Sequence, residues 1–149
     1  MTKKIKQIFK EFLAEQELKL CKRNFAYCQD AVGLFEACLN SYGHLGLEED
    51  QYEILEKSKE AEFCELFVPE ILDYTQFSEY VGYFLPKKVM SGYYTLNKYK
   101  IQILRLMDWL YEHKYSFQDE SDIKAIKAEL KDNFKSWYQE CNNNKKFND

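Results

Sequence analysis

Apolar residues recur at helical spacing along most of this chain. Phe25, Cys28, Val32, Phe35, Leu39 and Tyr42 follow one another at intervals of 3, 4, 3, 4 and 3 residues, and Gly43 comes directly after the run. That spacing lines up one face of an α-helix, and a glycine just past the last turn is a stop signal. Before it, Thr2 is placed to cap a helix reaching to about Leu18, with Ile5, Ile8, Phe9, Phe12 and Leu13 on one face and Lys3, Lys6, Lys10 and Glu11 mainly on the other. A break over Glu17–Cys21 joins the two, so residues 3–43 read as a helical hairpin.

Residues 44–73 read as a connector. Within 47–73 ten carboxylates face only Lys57 and Lys59, a local charge of −8, while Tyr52, Ile54, Leu55, Phe63, Leu66 and Phe67 predict one or two short helices ended near Val68 by Pro69. Asp73 or Thr75 then starts a helix carrying Phe77, Tyr80, Val81, Phe84 and Leu85, with Pro86 as its expected end. A basic loop, 87–92, leads to the strongest pattern in the chain: Leu96, Tyr99, Ile103, Leu106 and Leu110, flanked by Ile101, Leu104 and Trp109. This helix is apolar over more than one face and belongs at the centre. Ser116–Asp119 fits a capping box for a last helix presenting Ile123, Ile126, Leu130, Phe134 and Trp137. The expectation is one all-α domain over 1–141, a bundle of five to six helices in which hairpins at 3–43 and from 74 onward flank the connector, followed by a polar tail at 142–149.

Composition supports this. The chain of 149 residues is 46% hydrophobic and 17% aromatic, with only 5 Gly and 2 Pro, which argues against disorder and against a turn-dense β sandwich. The residues after Met1 lead into an amphipathic stretch without the apolar core of a signal peptide, and no apolar run is long enough to span a bilayer. A cytoplasmic protein without membrane contact is therefore expected. The formal net charge of −4 hides an uneven distribution: residues 1–46 carry seven bases against five acids, and residues 80–118 carry six against two.

The candidate chemistry is sparse. Cys21, Cys28, Cys38, Cys64 and Cys141 form no C-x-x-C pair, and His44 and His113 stand alone, so no metal site or cofactor is expected. Cys28 and Cys38 fall inside the apolar stripe and read as small buried hydrophobes. His113 has a structural role at hand, because a cation near a helix C-terminus is favoured by the macrodipole. There is no G-x-S-x-G, P-loop or G-x-G-x-x-G, and no catalytic residue is assigned.

Two segments share a plan. Phe9-Lys10-Glu11-Phe12 and Phe77-Ser78-Glu79-Tyr80 each run through a basic connection, Lys19-Leu20-Cys21-Lys22-Arg23 or Pro86-Lys87-Lys88-Val89-Met90-Ser91, into a long apolar helix. Those helices close in Leu34-Phe35-Glu36-Ala37-Cys38-Leu39 and Leu106-Met107-Asp108-Trp109-Leu110. In this the chain resembles the helical, SAM-like core-binding domain of tyrosine recombinases and phage integrases. The resemblance implies contact with the DNA backbone through the basic turns and the starts of the long helices, at Lys19, Lys22, Arg23, Lys87, Lys88, Lys98 and Lys100. It does not carry over strand cleavage, since the chain has only Arg23 and Arg105 and no His-x-x-Arg.

Read from the residues, Tyr93 and Tyr94 at the start of the second long helix are either core-edge residues with their hydroxyls reaching water or a surface for stacking unpaired bases. Two functional classes follow. The first is a non-enzymatic module binding DNA through Lys19, Lys22, Arg23, Lys87, Lys88, Tyr93, Tyr94, Lys98 and Lys100. The alternative is a protein-interaction or adaptor module, or a homodimer, using an aromatic patch or the acidic connector.

Overall fold

The computed structural model describes residues 2–58 and 60–148, with side chains through Asn142. Lys59 of the connector and the side chains of the expected polar tail from 143 onward lie outside the described residues. Helices α1 (Ile5–Lys19) and α2 (Lys22–Tyr42) form the first hairpin, closed by a 3-10 turn at Gly43–Gly46. Then come α3 (Glu49–Lys57), α4 (Phe63–Leu66), a 3-10 turn at Pro69–Ile71, and α5 (Tyr74–Glu79), which runs on as a π-helix over Tyr80–Lys88. The chain continues in α6 (Tyr93–Glu112) and α7 (Glu120–Asn148). No strand occurs among the described residues, and none of their helices is long and apolar enough to cross a membrane.

Phe35, in the middle of the α2 stripe, is the hub of the core. Its ring stacks on Phe9 of α1 at 5.7 Å, meets Phe77 of α5 at 4.9 Å and takes Tyr80 edge-on at 5.1 Å. These aromatic contacts fix where α1 and α5 sit on α2, because each buries a large apolar area in one geometry. Helix α6 crosses α2 and reaches α1, where Trp109 sits edge-on to Phe12 at 5.4 Å. Helix α7 packs chiefly on the π-helix and secondarily on α6. At Gly82 of the π-helix an added Cβ would lie 3.3 Å from the Trp137 indole of α7. The second segment is thus shared out: its first part lies against α7 and its second along α2.

Four local features differ from the sequence reading. Thr2 does not cap α1; Lys4 precedes the helix, and its N–H donates to the Gln7 side chain at 3.2 Å. Pro86 does not end its helix. A proline lacks the N–H of an internal turn and clashes with the carbonyl four residues back; the wider i to i+5 turns of the π-helix ease the clash, and the chain carries on to Lys88. Ser116 does not cap α7, because Phe117 takes a left-handed backbone (φ 65°) that turns the chain. Ser116 donates instead to the Pro69 carbonyl, and Asp119 caps α7, accepting from the Ser121 N–H at 2.9 Å. Finally, residues 44–73, read from the sequence as a connector between two hairpins, also supply part of the core. Phe63, Cys64 and Phe67 are buried, the Ile5 N–H donates to the Phe67 carbonyl at 2.9 Å, and the Phe63 ring fills the space where a Cβ on Gly43 would stand.

Candidate nucleic-acid interface

The start of α2 and the start of α6 meet at one corner of the molecule. Leu20 and Cys21 are extended and let the chain reverse, so α2 opens with Lys22 and Arg23 in solvent. One turn further in, the Tyr27 ring of α2 meets the Tyr99 ring of α6 edge-on at 6.2 Å, which sets the crossing. At the surface the Arg23 guanidinium donates to the Tyr94 hydroxyl at 3.4 Å, and the Lys98 ammonium lies 5.2 Å from the centre of the Tyr94 ring. Tyr94 remains 59% exposed. Among the described residues Lys22, Arg23 and Lys98 have no carboxylate partner, so their charges are free to meet an outside anion.

The remaining predicted residues lie elsewhere. Lys19 points back along α1 to Glu15, at 2.8 Å, and the same carboxylate also accepts from the Trp109 indole N–H. Those two bonds, led by Lys19, hold the Glu15 carboxyl below its usual range. Tyr93 is one residue from Tyr94 and so about 100° round the helix. Its ring stacks on Phe134 at 5.7 Å and meets Tyr138 at 5.3 Å, so it packs on α7 while keeping 36% exposure. Lys87 and Lys88 both reach over the Tyr83 ring, at 5.4 and 5.9 Å, and Tyr83 packs on Tyr42, the last residue of α2, at 5.8 Å. Arg23 and Tyr42 are 19 residues apart on one helix, which is about 28 Å. The two basic turns are therefore tied to opposite ends of α2 and do not form one basic face.

Lys100 is buried, at 7% exposure, with its ammonium 5.2 Å from the Phe134 ring centre. Burial, and then the charge of Lys131, push its pKa down. It belongs to a groove between α6 and α7 that also holds Arg105, Lys127 and Lys131, three cations that the sequence reading missed. The signal for them was available: Asn97, Ile101, Leu104, Arg105 and Asp108 fall on one stripe of α6, and Lys127 and Lys131 are one turn apart on α7.

Among the described residues no three His, Cys, Asp or Glu side chains converge to hold a metal ion. Burial raises the Cys28 thiol to about 11 and the Cys38 thiol to about 12, and raises Cys64 as well, so the three core thiols stay protonated at neutral pH. Compared with protein-family models, with curated proteins and with solved structures, the chain matches none.

Proposed function

We propose that this chain is a non-enzymatic helical binding module that contacts nucleic acid through the corner built by Lys22, Arg23, Tyr94 and Lys98. The observation that carries the reading is the Arg23–Tyr94–Lys98 cluster, in which an aromatic face is flanked by two cations with no carboxylate partner among the described residues. Lys22, Arg23 and Lys98 supply phosphate neutralisation, and the exposed Tyr94 ring supplies a platform for an unpaired base. The likeness to integrase core-binding domains supports the same helix starts. The chain's overall charge of −4 limits long-range attraction, so binding is expected to be weak and dependent on salt.

Binding of a labelled single strand, followed as salt is raised, tests the reading. Three neutralised phosphates give a log-log slope of about −2 on a single strand and about −2.7 on a duplex. Lys22→Glu with Arg23→Glu is expected to abolish binding, and Lys87→Glu with Lys88→Glu to leave it nearly unchanged. Absence of binding at low salt, or an equal loss in both double variants, sinks the proposal.

A second reading, a protein-interaction module, rests on α3. That helix buries no residue and exposes Tyr52 and Ile54 between Glu49, Asp50, Glu53 and Glu56. A defined dimer in sedimentation at micromolar concentration, lost on Tyr52→Ser with Ile54→Ser, would favour it.

A further inference from the structure

The groove between α6 and α7 has a volume of about 660 Å³. Four cations line it, Lys100 and Arg105 from α6 and Lys127 and Lys131 from α7, against one carboxylate, Asp108. That carboxylate is already engaged: Lys127 donates to it at 2.6 Å, which fixes both side chains across the groove. Lys100, Arg105 and Lys131 are left without an acidic partner among the described residues.

Lys100 is the informative member. More than nine-tenths of the residue is buried, and among the described residues it makes no hydrogen bond or ion pair; its ammonium lies over the Phe134 ring. Its stem is buried while the ammonium opens onto the groove, and burial together with the charge of Lys131 lowers its pKa with no counter-ion to offset the cost. A bound anion would remove that cost. Arg105 adds a planar fork suited to two oxygens of one phosphoryl group. Beside these charges Ile101, Leu104 and Ala128 form an apolar strip, and Ile101 is 39% exposed.

We propose that the α6–α7 groove is a nucleotide site, adjoining the corner but independent of it, in which Lys100, Arg105 and Lys131 hold the pyrophosphate of a nucleoside diphosphate. The nucleoside lies against Ile101, Leu104 and Ala128. Three cations match the charge of a diphosphate, and the apolar strip gives the ring a surface that inorganic phosphate does not use.

Calorimetric titration of the full chain tests this with ADP, inorganic pyrophosphate and adenosine as probes. ADP is expected to bind more tightly than pyrophosphate, and adenosine to bind least. Arg105→Glu with Lys131→Glu, at half-buried and exposed positions, is expected to weaken ADP at least tenfold. Lys100→Met, which keeps the stem and removes the charge, is expected to weaken ADP tenfold while holding or raising Tm; a fall in ADP affinity accompanied by unfolding is separated from this by circular dichroism of the same sample. Lys22→Glu with Arg23→Glu is expected to leave ADP binding unchanged, so failure of the corner and failure of the groove are read independently. No ADP binding at 50 mM salt would overturn the proposal, as would equal affinity in the Arg105/Lys131 variant. Binding of a single strand, but not of ADP, that depends on Arg105 and Lys131 would also overturn it, because the groove would then follow a phosphodiester backbone.

Discussion

The Tyr80 hydroxyl donates to the Ala31 carbonyl at 2.9 Å, inside the core and 49 residues away in sequence. Tyr80 is fully buried, and its ring lies edge-on to Phe35, so the one polar atom of a large core side chain is satisfied by the backbone of α2. This bond holds the start of the π-helix to the centre of α2. Tyr80→Phe keeps the ring and removes the donor, while Ala31 lies inside α2 and retains its place in the helical ladder. The expected loss is about 1 kcal/mol, read as a lower urea midpoint at unchanged m-value. A loss near zero would mean that the bond adds nothing beyond the ring's packing.

Two glycines are expected to respond in opposite directions to the same substitution. An added Cβ at Gly33, exposed within α2, meets nothing within 4 Å, so Gly33→Ala is expected to stabilise by about 0.5–1 kcal/mol through helix propensity. At Gly43 the added Cβ would stand 2.7 Å from the buried Phe63 ring, and Gly43→Ala is expected to cost about 1–3 kcal/mol. Thermal unfolding of the two variants beside the parent decides this; equal shifts would contradict the packing of α4 against the end of α2.

Helix α6 ends in a Schellman motif with a lysine at the position glycine usually takes. The Tyr115 N–H donates to the Leu110 carbonyl at 2.9 Å and the Lys114 N–H to the Tyr111 carbonyl at 3.0 Å, with Lys114 left-handed at φ 61°. A side chain in that region is strained, and Lys114→Gly is expected to stabilise by about 0.5–1 kcal/mol. A drop in Tm would argue against the motif.

Thiol labelling should separate the cysteines into two groups. Cys21 is exposed and Cys141 half-buried, whereas Cys28, Cys38 and Cys64 are buried with raised pKa values. At pH 8 two thiols are expected to react with an aromatic disulfide reagent in the folded state and the other three only on denaturation. Fast reaction of a third thiol would show that the core around Phe35 and Phe63 opens readily.

The same thiols set an alkaline limit. Their folded pKa values, about 11 for Cys28 and about 12 for Cys38, lie above the value of roughly 8.5 expected unfolded, and Tyr80 is likewise raised by burial. Between the two values the unfolded chain releases protons that the folded chain keeps, so stability is fully present below about pH 8.5 and falls as pH rises toward 12. Lys100, with a lowered pKa, acts in the opposite sense and offsets part of this. Urea midpoints at pH 7.5, 9 and 10 are expected to decline in that order; a flat profile would mean that the thiols reach solvent.

What is local was legible in the chain itself. The 3-4 spacing from Phe25 to Tyr42 and from Leu96 to Leu110, with Gly43 following the first, determines α2 and α6 because helix formation depends on neighbours within one or two turns. The all-α class follows from the same spacing repeated along the sequence. Pro86 shows where local rules fall short: its π-helix is stabilised by contacts of Tyr80 and Gly82 with residues dozens of positions away, which no window around Pro86 contains.

The candidate site divides in the same way. That Lys22, Arg23, Tyr94 and Lys98 stand at helix starts is a property of the sequence. That they form one corner, while Lys87 and Lys88 go with Tyr42 at the other end of α2, depends on how α6 crosses α2 and is decided by the Tyr27–Tyr99 and Phe35 ring contacts. Lys100 was legible as a base near a helix start but not as a buried one, because its environment is Phe134 and Lys131 of another helix. Charge and periodicity are read residue by residue, whereas a surface is made by helices far apart in sequence, and only the packed core brings their side chains together.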